Sequence, residues 1–88
     1  MIYVINYDLN APGQNYSRLI SYLRSFSAYC NPHKSTWFVS SSLSASVIGA
    51  EIRKRIDPND SYSVFQVLTP YDIRANKECV NWFNNFTL

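Results

Sequence analysis

Glycine is nearly missing from this chain, with two residues in 88. No Gly-rich stretch exists to cradle phosphates, so the composition argues against a nucleotide-binding loop. Charge is sparse too: 16% of residues are charged and the formal net charge is +2. That balance is far from the strongly basic one that announces a nucleic-acid binder through counterion release, and it leaves the partner open. The two cysteines, Cys30 and Cys79, fit neither a zinc spacing nor a Cys-x-x-Cys pair, so they read as reduced structural thiols. No basic segment followed by an apolar one begins the chain, and no apolar run approaches the length of a membrane span, so no membrane partner is expected and the cytoplasm is the expected compartment. Repeats, low-complexity tracts and linkers are also missing, which makes residues 1–88 a single domain.

What the chain does have is apolar and aromatic mass. Hydrophobic residues make up 47% of it, with seven Tyr, five Phe and two Trp. Such a composition excludes disorder, yet the chain is short enough that its core will be thin and a partner surface would help it.

Ile2 to Tyr7 reads as a strand apolar on both faces, Ile2 and Val4 on one and Tyr3, Ile5 and Tyr7 on the other, which predicts a central position. Ala11-Pro12-Gly13 breaks this run, and Tyr16, Leu19, Ile20, Leu23 and Phe26 recur at helical spacing, predicting a helix from about Gln14 to Ser27. Asn31-Pro32 allows at most a short, ragged strand between Ala28 and Lys34. Ser35 to Ser40 carries a dense β-branched and aromatic signal for the next strand. Ser44 is placed to cap a second helix whose buried side is Val47, Ile48, Ile52 and Ile56. Asp57-Pro58-Asn59-Asp60 ends that helix and turns the chain into a strand over residues 62–68, which Thr69-Pro70 stops. The tail from Tyr71 holds Val80, Trp82, Phe83 and Phe86 without a clean period, so a short helix and a final strand both fit.

This order predicts an α+β, ferredoxin-like βαββαβ fold with an antiparallel sheet, both helices on one face, and an aromatic C-terminal extension. The other face would be apolar and bare, a pattern that marks a partner surface. The simplest expectation is a two-fold dimer built through that face. The alternative is that the tail folds back over it within one chain.

Asp8 is the best candidate for chemistry, because a carboxylate at a strand end sits on rigid backbone and faces solvent. The plainer reading is an Asx-turn or a helix cap. His33, the only histidine, is of the residue type suited to general acid or base work, but it has no obvious carboxylate partner, so a solvent-facing loop histidine explains it equally. Arg53-Lys54-Arg55 reads as the outer face of the second helix before it reads as a phosphate contact. Ser40-Ser41-Ser42 is a polar turn without the base that nucleophilic catalysis needs.

Tyr7-Asp8-Leu9 ending the first strand, Ser35-Thr36-Trp37-Phe38-Val39, Leu43-Ser44-Ala45 before helix two, and Asp57-Pro58-Asn59-Asp60 before the last strand together resemble the small CRISPR-associated protein two fold and its relative, virulence-associated protein D. The likeness covers about residues 1–68, and small SinR-labelled proteins, some from phages, look most similar. The resemblance implies a homodimer whose two Asp8 carboxylates face each other and hold Mg²⁺ for hydrolysis of RNA or DNA. It also implies nucleic-acid contacts from Tyr7, from Arg18 and Arg24 on helix one, and from Phe38 or Trp37 if either ring faces outward to stack a base. Gln14, Asn15 and Ser17 stand where the family's nucleases carry basic residues, and no second acid lies close to Asp8. A non-catalytic interaction protein is therefore the competing expectation, for example a phage-encoded inhibitor of a bacterial defence system. Small-molecule binding between sheet and tail is a third.

Overall fold

The computed structural model describes residues 1–10 and 16–85, which form one four-stranded antiparallel sheet and three helices. The strands are β1 (Ile2–Asp8), β2 (Ala28–His33), β3 (Thr36–Ser40) and β4 (Ser61–Gln66), in the spatial order β2-β3-β1-β4. The helices are α1 (Ser17–Arg24), α2 (Ala45–Arg53) and α3 (Lys77–Asn84). β1 is central as its two apolar faces require, with Ile5 opposite Trp37 on one side and Val64 on the other.

Strand alternation separates two faces. On the first, Tyr3, Ile5, Trp37 and Val39 meet Leu19 and Leu23 of α1 and Ile48 and Ile52 of α2, and all eight are buried. Burying each aliphatic side chain of this kind stabilises by about 1.5–3 kcal/mol. Ser44 caps α2 as its position suggested, its hydroxyl accepting from the Val47 amide at 3.3 Å. Gly49 is buried where α2 crosses β4, and a Cβ there would lie 3.2 Å from the Tyr62 ring, so the missing side chain lets the helix sit close.

α1 is shorter than the apolar period suggests: Ser25 caps its C-terminus, while Gln14 and Asn15 lie outside the described residues. α2 likewise ends at Arg53, and Ile56 reaches the core from the turn that follows. β4 stops at Gln66, although the Val67 amide still donates to the Ile2 carbonyl at 2.8 Å. The ragged strand exists as β2, irregular between Cys30 and His33 where Pro32 has no N–H to give.

α1 and α2 share the first face, as the βαββαβ order predicts. The second face is not bare as expected: the tail forms a third helix, α3, which packs against β2 and over part of this face. Phe83 is 2% exposed, with its ring centroid 4.9 Å from Phe38 of β3 and 4.6 Å from Tyr71. Nor are the cysteines reduced, since Cys30 of β2 and Cys79 of α3 form a disulfide across 49 residues of sequence. Asn76 starts α3 by accepting from the Cys79 amide at 2.8 Å, so a cap and a covalent bond act on the same turn. No helix of the described residues is long and apolar enough to cross a membrane.

Candidate functional site

Asp8 is the last residue of β1, opposite Ser61 of β4, and it is exposed. With Asn6, Ser61 and Ser63 it belongs to the second face, at the end of the sheet that the tail leaves open. A shallow hollow of about 250 Å³ lies over this β1–β4 ladder. Its polar groups are an amide, two serine hydroxyls and the Asp8 carboxylate. Among the described residues no group of three or more His, Cys, Asp or Glu side chains is placed to hold a metal. A single chain thus offers one carboxylate here, which does not fit a dedicated Mg²⁺ site.

The other residues expected to join Asp8 are dispersed. Tyr7 points to the helix-covered face, where its hydroxyl accepts from the Trp37 indole N–H at 3.1 Å. Trp37 is itself 3% exposed and cannot stack a base. Phe38 does lie on the second face, but Phe83 of the same chain packs against its ring in a T-shaped contact. Arg18 is exposed near the start of α1, whereas Arg24 ends the helix, which leads away from Asp8 toward the Ala28–Ser40 end of the sheet.

The basic cluster on α2 behaves as a solvated helix end. Glu51 accepts from Lys54 at 3.1 Å and from Arg55 at 2.9 Å, and these hydrogen bonds, Arg55's first, lower its pKa. Arg55 also lies 4.5 Å above the Tyr22 ring. Burial raises the Tyr22 pKa, with Glu51 adding to the rise and Arg55 opposing it. His33 sits exposed at the end of β2, its Nε2 3.3 Å from the Arg74 carbonyl oxygen.

Asp60 is the carboxylate that sequence reasoning passed over as part of a turn. It accepts from the backbone amides of Asn10 at 2.8 Å and Asp57 at 2.9 Å, and from the Tyr16 hydroxyl at 3.2 Å. The Asn10 side chain donates in turn to the Asn59 carbonyl. Burial pushes the Asp60 pKa up, but the three donors together outweigh it and the pKa is lowered. This residue ties the exit of β1 and the entry of α1 to the α2–β4 turn, a structural task beside Asp8. Its sequence signal was the Asp-Pro-Asn-Asp run, whose partner Asn10 lies 50 residues away.

Comparison with family models, with curated proteins and with solved structures finds no match for the chain.

Proposed function

We propose that this chain is a ferredoxin-like interaction protein without catalytic activity, working as a two-fold homodimer joined through the outer edge of β4. The contrast between the two edges of the sheet carries this reading. The β2 edge is blunted by Pro32, an irregular register, and the nearby His33 and Lys34. Those are the devices that discourage strand addition. The β4 edge has none: residues 61–69 contain no charge, no proline and no glycine, and Phe65 and Leu68 are 63% and 59% exposed.

Hydrogen-bond direction makes that edge self-complementary. The Val67 amide donates toward β1, so alternation turns the backbone groups of Tyr62, Val64 and Gln66 outward. A second β4 running antiparallel about Val64 satisfies them, with Tyr62 against Gln66 of the partner subunit, and sets each Phe65 beside a serine across the new ladder. Such pairing holds the two Asp8 residues roughly 20 Å apart along the strands, too far to share an ion. A target protein or nucleic acid would meet the remaining surface. The resemblance suggests a bacterial defence component as that target, with the dimer as its inhibitor.

Light scattering should give the mass of a dimer, and Phe65→Lys should give a folded monomer; a monomeric wild type overturns the reading. Labelled single-stranded RNA and duplex DNA, with Mg²⁺, with Mn²⁺ or with chelator, should stay intact beside wild type and Asp8→Ala alike. Metal-dependent cleavage that disappears in Asp8→Ala would instead establish a Mg²⁺-dependent nuclease.

A further inference from the structure

We infer that the slot between the second sheet face and the segment 67–74 binds a flat, uncharged heteroaromatic ring system of purine size. The cavity measures about 310 Å³. That is at the lower end of the range of small-molecule pockets, about 300–1,000 Å³.

Its walls are apolar and aromatic: Val4 and Phe38 from the sheet, Tyr71 and Phe83 from the tail. Tyr71 is 42% exposed, so part of its ring remains open to a guest. One end of the slot is polar without charge. There the Thr36 hydroxyl donates to Asn6 Oδ1 at 2.7 Å, which fixes the amide with its Nδ2 donor free of any partner among the described residues. Thr36 Oγ1 keeps lone pairs to accept with. A donor and an acceptor side by side at the end of an apolar slot match the acceptor–donor edge of an aminopurine or a ring lactam.

Charge at the slot is confined to the rim and cancels. Asp72 and Arg74 are both exposed, and the ion pairs of the described residues join Glu51 to Lys54 and Arg55 only. Neither an anion nor a cation is selected by such a rim, whereas a neutral ring loses little water and gains both walls. The His33 contact to the Arg74 carbonyl braces the strap against β2, so the slot is formed before a guest arrives.

The same ring chemistry occurs in a free nucleoside and in an unstacked base of a single strand, and nuclear magnetic resonance titration of the whole chain separates them. Adenosine and guanosine should give saturable shifts at the Asn6 side-chain amide, Thr36 and Phe38. A hexa-adenylate RNA that binds no tighter than adenosine identifies the free ligand, and one that binds markedly tighter at the same resonances identifies the strand. Asn6→Leu should weaken either about tenfold, the effect of losing one hydrogen bond. Tyr71→Ala should weaken it several-fold, with both variants checked by thermal melting. Absence of saturable shifts at millimolar ligand, equal shifts in Asn6→Leu, or tighter binding of benzoate would overturn the inference.

Discussion

The two faces of the sheet are closed by different means. On the first, two helices of clean apolar period bury Ile5, Leu19, Leu23, Val39, Ile48 and Ile52 completely. On the second, a single two-turn helix arrives at the end of a ten-residue strap, held by an aromatic cluster and one disulfide. Val4 stays half-buried there and Phe65 stays exposed. A face packed by aliphatic helices holds itself together, while a thin aromatic cover gains from a covalent fastening because ordering the strap is entropically expensive.

That difference can be broken from either side. Ile52→Ala, on the first face, should destabilise the whole domain by about 3 kcal/mol, seen as a lower denaturant midpoint for every probe. Cys79→Ser should cost about 2–3 kcal/mol, but hydrogen exchange should show the loss concentrated in α3 while β1, β3 and β4 keep their protection. Uniform loss across both faces would show that the cover and the core form one cooperative unit. The two caps sharpen the contrast: Ser44→Ala and Asn76→Ala should each cost about 1 kcal/mol, the first globally and the second only in exchange of α3 amides.

The smallest effect concerns the turn that joins the faces at the Asp8 end. The Asp60 pKa is lowered in the folded state, so its stabilisation is fully present above the ordinary carboxylate pKa and is lost as pH falls through the lowered value. Asp60→Asn should therefore melt a few degrees below wild type at pH 7, and the gap should close as pH falls below the ordinary carboxylate range. A gap that persists in acid would assign the effect to shape rather than charge.

Features set by neighbouring residues could be read from the chain directly. Ser44 announces its cap because the amide it serves is three residues away, and Pro32 announces a defective strand because it lacks a donor. The doubly apolar β1 could only be central. What escaped was set by distant partners: the path of the tail, which has no period to reveal its buried side, and the Cys30–Cys79 pairing across 49 residues. The candidate site was visible only as Asp8. Whether Arg24 and Phe38 would join it depended on the direction of α1 and on a ring in α3, neither of which local pattern records.

The disulfide also decides how the molecule carries mechanical load. Force applied between residues 1 and 85 passes from Cys30 to Cys79 through the sulfur bridge, bypassing β3, α2 and β4. Stretched in that direction, the oxidised chain lengthens only by the segments outside the ring, and a single-molecule trace gains the length of the enclosed residues only after reduction.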